Sequence, residues 1–120
     1  MAEHNDLGTQ GEDLAKSYLA SKGFEILETN WRFGKNEIDL IIKDKDYLVI
    51  VEVKTRTSAY YGEPEIFVNK NKQRMLIRAA NHYIQKNNIN IETRFDIISV
   101  IISAGKHAVH HIPDAFYPTL

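Results

Sequence analysis

Two runs in the middle of the chain carry the strongest hydrophobic pattern, residues 36–43 (NEIDLIIK) and 47–54 (YLVIVEVK). Both are dense in Val, Ile and Leu, and both read as strands. The link between them, Asp44-Lys45-Asp46, is short and polar and suits a hairpin. Alternation places Ile38, Leu40 and Ile42 on one face of the first run, with Glu37, Asp39, Ile41 and Lys43 on the other. In the second run Tyr47, Val49, Val51 and Val53 share a face, and Leu48, Ile50, Glu52 and Lys54 take the opposite one. An antiparallel register with Leu40 opposite Val51 and Ile42 opposite Val49, and Ile38 meeting Val53, makes one face fully apolar. It sets Ile41 against Ile50, Asp39 against Glu52 and Glu37 against Lys54 on the other. A one-residue slip mixes the faces and is disfavoured, whereas a two-residue slip keeps them and leaves that register open.

The rest of the chain sorts around this hairpin. Gly11, Leu14, Ala15 and Tyr18 follow helical spacing over residues 7–22, and Gly23 is placed to end that helix. Glu12 lies on the edge of the apolar stripe and leans towards the core. Residues 24–31 read as a first strand, with 32–35 as its turn. Residues 55–67 form a long loop with Tyr60, Tyr61, Gly62 and Pro64. Asn69 caps a second helix to about residue 86, whose buried stripe is Leu76, Ala79, Ala80 and Tyr83. Residues 93–102 form a strand, 103–106 a turn and 107–112 a last strand. Pro113 is expected to break it, and 115–117 to pack as a C-terminal lid. Residues 1–6 are expected to be disordered.

The two acids change the picture. A carboxylate inside an apolar strand is costly unless it is compensated. In the register above, the Asp39 and Glu52 Cβ atoms lie roughly 5 Å apart, and a hard divalent cation with oxygen ligands would relieve their repulsion. Lys54 ends on the same face. On the second helix Lys70, Arg74 and Arg78 recur at i+4 as one basic ridge, with Lys72 displaced from it. The ridge lacks the interspersed acids of an ordinary solvated helix. Asp96 is expected to pair with a nearby base. His107, His110 and His111 suggest a metal cluster, but neighbouring strand residues face opposite ways, and the acids offer the better site.

Composition narrows the classes. The chain has 120 residues, suited to one domain, 1–120. It has no cysteine, hence no disulfide framework and no thiolate metal site. No apolar run approaches the ~18 residues of a membrane span, and the polar, acidic N-terminus does not read as a signal peptide. A cytoplasmic protein with no membrane partner is expected. The formal net charge is −1, which argues against unspecific coating of DNA. Six acids and two bases occupy residues 1–30, while residues 70–78 hold four bases and no acid, so any nucleic-acid contact is local.

An Asp followed by Glu-x-Lys on adjacent strands resembles the PD-(D/E)XK nuclease superfamily. The likeness to the YraN-type family, bacterial relatives of archaeal Holliday junction resolvases, is closer. It rests on Gly11-Glu12, Tyr18-Leu19, Gly23-Phe24, Ile26-Leu27, Asn30-Trp31-Arg32, Glu37-Ile38-Asp39-Leu40-Ile41, Val51-Glu52-Val53-Lys54-Thr55-Arg56 and Arg94-Phe95-Asp96, covering nearly the whole chain. Asn36 departs from the Gly usual before Glu-Ile-Asp, and Ile38 replaces the superfamily's Pro. The resemblance implies an α/β, restriction-endonuclease-like core, a mixed β-sheet flanked by helices in the order α-β-β-β-α-β-β. It implies metal-dependent hydrolysis of DNA phosphodiesters, at branched DNA in resolvase relatives, and a homodimer. Mg²⁺ (or Mn²⁺) would be held by Asp39, Glu52, the Val53 carbonyl and Glu12. Asp39, Glu52 and Lys54 would be catalytic, and Arg56, Lys70, Lys72, Arg74 and Arg78 would hold the nucleic acid. The alternatives are a non-catalytic nucleic-acid-binding or adaptor module on the same fold, and an interaction domain whose acids are salt-bridged.

Overall fold

The structure is a computed structural model that describes residues 3–57 and 68–118, with side chains described from residue 7 onward. The order is α1 (Glu3–Ser21), β1 (Glu25–Phe33), β2 (Asn36–Asp44), β3 (Tyr47–Arg56), α2 (Lys70–Lys86), β4 (Glu92–Ser103) and β5 (Lys106–Phe116). This is the expected α/β succession. The five strands form one sheet in the order β1-β2-β3-β4-β5. Only β3 and β4 run parallel, because α2 carries the chain back between them; the other neighbours are antiparallel.

Each sheet face is covered by one helix. Ala15 and Leu19 of α1 pack on Leu40, Ile42, Val49, Val51, Ile98 and Val100. Leu76, Ala79 and Tyr83 of α2 pack on Ile41, Leu48, Ile50, Phe95 and Ile97. Both helices stop where the chain supplies a left-handed residue. Gly23 (φ +89°) lets its own N–H reach the Ala20 carbonyl and the Phe24 N–H reach that of Leu19. Asn88 (φ +53°) does the same for α2, with Ile89 N–H bonded to the Ile84 carbonyl. Asn69 caps α2, its side chain accepting the Lys72 N–H at 2.8 Å.

The hairpin has the expected register, with Leu40 opposite Val51, Ile41 opposite Ile50 and Ile42 opposite Val49. Ile38 departs from the expected faces. It packs with Ile41 under α2, not with Leu40 and Ile42 under α1. Ile38 and Ile41 are an odd number of residues apart, so strict alternation fails between them, at Asp39. The neighbouring strand is irregular at the same level. Thr29 pairs with Leu40 and Trp31 with Ile38, and Asn30, which lies across from Asp39, is left-handed (φ +49°).

Several boundaries differ from the pattern-based ones. α1 begins at Glu3, before the apolar stripe. β1 runs on through Arg32 to Phe33, leaving a turn of Gly34 and Lys35. β5 continues through Pro113 to Phe116, whose ring stacks on Phe95 at 5.1 Å. Proline is tolerated there because β5 is an edge strand and its register shifts at that point, so the missing N–H breaks no regular ladder bond. The expected loop tyrosines, Tyr60 and Tyr61, lie outside the described residues. No helix among the described residues is long and apolar enough to cross a membrane.

Candidate metal and nucleic-acid site

The irregularity at Asp39 builds the candidate site. Paired positions of β2 and β3 run from Asp44–Tyr47 to Leu40–Val51. Beyond them the Asp39 side chain takes over: its Oδ2 accepts the Val53 backbone N–H at 2.8 Å. A carboxylate thus replaces a ladder acceptor, and this requires it to turn into the plane between the strands. A strand residue directs its N–H and C=O to the same neighbour, so the Val53 carbonyl also faces the β2 side of this opening.

Glu52, on the α2 face, is almost fully buried. Its Oε2 lies 3.5 Å from Lys72 Nζ, and its Oε1 is buried with no hydrogen-bond partner among the described residues. The two acids perturb each other. Burial first, and then the Glu52 charge, push the Asp39 carboxyl up to about 7; Glu12 adds to the rise, while the Val53 N–H and Lys72 oppose it. Burial likewise raises Glu52, with Lys72, Lys54 and a hydrogen bond to Asp39 pulling it back. Asp39 therefore titrates near neutral pH, where an isolated carboxyl would already be ionised.

Glu12 comes to this site from α1. Gly11 makes that possible: it is buried against Thr55, and a methyl at that position would collide with the Thr55 side chain. Glu12 Oε1 accepts a 3.1 Å bond from Asn30 Nδ2, and the same amide reaches Glu37 Oε1 at 3.2 Å. Asn30 is a site residue that pattern reading misses. Its signal is the tolerance of Asn for left-handed backbone.

The expected basic residues divide. Lys70, Arg74 and Arg78 are exposed on the outer side of α2. Lys72 does not join them. It is two residues, about 200°, round the helix from Lys70, in phase with Leu76, Ala79 and Tyr83, so it points at the sheet and at Glu52. Arg56 is half-buried at the end of β3, and Lys54 is half-buried on the Glu52 face.

Asp96 lies on the other side of the sheet, with Ile98 and Val100. It is fully buried and accepts two bonds from Arg94, from Nε at 2.9 Å and Nη2 at 3.0 Å. It also accepts the Asp114 N–H at 2.9 Å and lies 2.7 Å from His111 Nε2. Burial would raise its pKa, but His111, Arg94 and the Asp114 amide outweigh that and hold it below the ordinary value. Pairing with a base, as expected, is its structural role, although the contact to His111 lay beyond pattern reading. His107 and His110 are exposed and apart from it.

The residues suit a small hard cation in one respect and limit it in another. Glu52 Oε1 is an unsatisfied buried acceptor next to a second carboxyl of raised pKa. Among the described residues no three His, Cys, Asp or Glu side chains converge on one point. Mg²⁺ commonly takes one or two carboxylates and keeps several waters, so Asp39 and Glu52 are a sufficient protein share.

The fold and site define a mixed five-stranded α/β domain with a carboxyl pair, Glu52 buried and Asp39 half-buried, where two strands part. Residues 11–100 match the family described as "Uncharacterised protein family UPF0102". The chain is 50% identical over 117 residues to a UPF0102 protein of Flavobacterium psychrophilum, covering 98% of each chain. It is 44% identical over 117 residues to one from Christiangramia forsetii, again 98% of each. A UPF0102 protein of Phocaeicola vulgatus is 38% identical over 120 residues, covering 100% of this chain and 99% of the relative. The chain belongs to the UPF0102 family, the YraN-like family whose motifs its sequence carries.

Proposed function

We propose that this chain is a metal-dependent nuclease of the PD-(D/E)XK kind, acting on DNA phosphodiesters in the cytoplasm. The observation that carries the reading is the pairing of Asp39 and Glu52: two carboxyls beside each other, one with an unsatisfied buried oxygen, at a break in the sheet. Asp39 and Glu52 would hold Mg²⁺ or Mn²⁺, with the Val53 carbonyl as a third oxygen, and Glu12, engaged by Asn30, would join directly or through water. The bound ion would polarise a phosphate and ease ionisation of a water. Lys54, on the Glu52 face, offsets negative charge as it builds on the phosphate. Lys70, Arg74 and Arg78 hold flanking phosphates, and branched DNA bound by a two-fold pair of chains fits the resolvase resemblance.

The test is a pair of variants assayed for binding and cleavage with Mg²⁺ and with Mn²⁺. Lys54→Ala should abolish cleavage and leave DNA affinity nearly intact. Arg74→Ala combined with Arg78→Ala should weaken binding and lose activity only as far as binding is lost. Cleavage at the native rate by Lys54→Ala would remove that residue from the mechanism. A second reading, a binding or adaptor module without catalysis, draws on the Lys72–Glu52 ion pair, which balances the buried acid without a metal. Native protein that binds DNA but cuts none of linear, branched or single-stranded substrates would favour it.

A further inference from the structure

The outer row of α2 does not end at Arg78. One more i+4 step reaches His82, which is exposed. His82 does not stand free over solvent. Its ring centroid lies 5.3 Å from that of Phe33 and 6.0 Å from that of Trp31. Trp31 and Phe33, two residues apart on β1, are nearly parallel, 13° between planes and 6.5 Å between centroids. Tyr83 braces Trp31 from the core side, edge-on at 5.2 Å. The result is a ledge of three planar rings where the cationic row meets the β1 edge of the sheet, His82 exposed and Trp31 and Phe33 half-buried with their inner sides on the core under α2. α2 carries five bases, Lys70, Lys72, Arg74, Arg78 and Lys86, and no acid, in a chain whose net charge is −1.

The ledge lies one strand from Asp39 and two from Glu52. Trp31 pairs with Ile38, the residue before Asp39, and neighbouring strands are ~4.8 Å apart. A polyanion laid along α2 with a phosphate at Asp39 and Glu52 therefore brings the adjoining part of its strand over these rings. Rings accept a base only where the base is not already stacked in a duplex.

We propose that Trp31, Phe33 and His82 form a stacking site for an unpaired nucleobase next to the phosphate held at the carboxyl pair, so that the ligand is a strand with unpaired bases. This rests on the nucleic-acid reading of the α2 face and is independent of cleavage. Trp31 is the only tryptophan in the chain, so its fluorescence reports the site directly, with Mn²⁺ present to bring the phosphate to the carboxyls and in EDTA as the reference without it.

The experiment titrates the full chain with a single-stranded oligonucleotide, a blunt duplex of the same length, and heparin as a polyanion without bases. Anisotropy of labelled ligands measures binding in parallel. The single strand should quench Trp31 saturably, while duplex and heparin bind the basic row with little change in its emission. His82→Ala, at an exposed position that does not threaten folding, should weaken single-strand affinity about ten-fold, within the range of base–aromatic stacking, and leave heparin affinity unchanged. Phe33→Leu should reduce the quench in the same way. Equal quenching by all three ligands, single-strand binding with no change at Trp31, or absence of single-strand binding would each overturn the proposal. A clean quench without cleavage under any metal would uphold it while removing the nuclease reading.

Discussion

The Asp39 carboxylate receives the Val53 amide at 2.8 Å while lying close enough to Glu52 for the Glu52 charge, after burial, to raise its pKa. One side chain therefore does two jobs with opposite charge requirements. As an acceptor it completes the strand pairing, and as an acid it strains the neutral-pH state. Asparagine keeps the acceptor and discards the charge. Asp39→Asn should raise stability at pH 7.5 by about 1–3 kcal/mol, with Tm rising by about 4 °C per kcal/mol at this length. It should lose all stabilisation by Mn²⁺. Thermal melts of both proteins with and without the ion check this.

The same pair sets a pH dependence. A carboxyl raised to about 7 in the native state and near 3.8 when unfolded binds more protons in the native state across that window. Stability from this group is full below pH ~4, falls as pH rises and is lost above pH ~7. Asp96 has the opposite sign, because its native pKa is depressed: its contribution is present above pH ~4 and disappears in acid. Urea unfolding from pH 3 to 8 should show Asp39→Asn converging with the native protein at the acid end and exceeding it at pH 7–8.

Lys72 competes with any cation for Glu52. Its Nζ is 3.5 Å from Oε2, with the lysine side chain 41% exposed and the glutamate 10% exposed. Lys72→Met should destabilise the metal-free protein slightly and tighten Mn²⁺ binding about five-fold, the equivalent of the ~1 kcal/mol such a pair is worth. Calorimetric titration with Mn²⁺ gives the answer; an unchanged affinity would show that the lysine and the ion do not share the site.

Asp96 anchors the sheet rather than the site. Asp96→Asn leaves Arg94 and His111 short of their shared acceptor and should cost about 3–5 kcal/mol. Its effect on metal binding, measured under conditions where the variant remains folded, should be negligible, because Asp96 and Glu52 lie on opposite sheet faces.

Gly11 brings α1 against Thr55. Gly11→Ala should cost about 1–3 kcal/mol through overpacking and move Glu12 away from Asn30. Loss of the Asn30 side-chain amide signal's interaction with Glu12, followed by NMR, distinguishes displacement of the helix from simple destabilisation.

Much of this was open to reading along the chain. The order of elements, the exclusion of a one-residue slip between β2 and β3 and the identity of the two strand acids follow from two facts, that strands alternate with period two and that carboxylates are rare in apolar runs. The choice between the preferred register and a two-residue slip was left to the structure, which pairs Leu40 with Val51 but not Asp39 with Glu52. Asn69 and Gly23 announced the helix ends, because capping and left-handed backbone depend on residue type. The tertiary structure decided what depends on contacts between distant segments. Whether Ile38 keeps the phase of Leu40 depends on Asn30, eight positions away on the neighbouring strand, and on an acceptor that Val53 needs. Whether Lys72 serves DNA or Glu52 depends on which helix face meets the sheet, and that orientation is set by Leu76, Ala79 and Tyr83 docking under Ile41 and Ile50. The pattern marked Lys72 as off the basic row, but only the packed helix shows where it points. The aromatic ledge is of the same kind: its rings come from β1 and α2, separated by about fifty residues of chain, and burial of the apolar helix face is what brings them together.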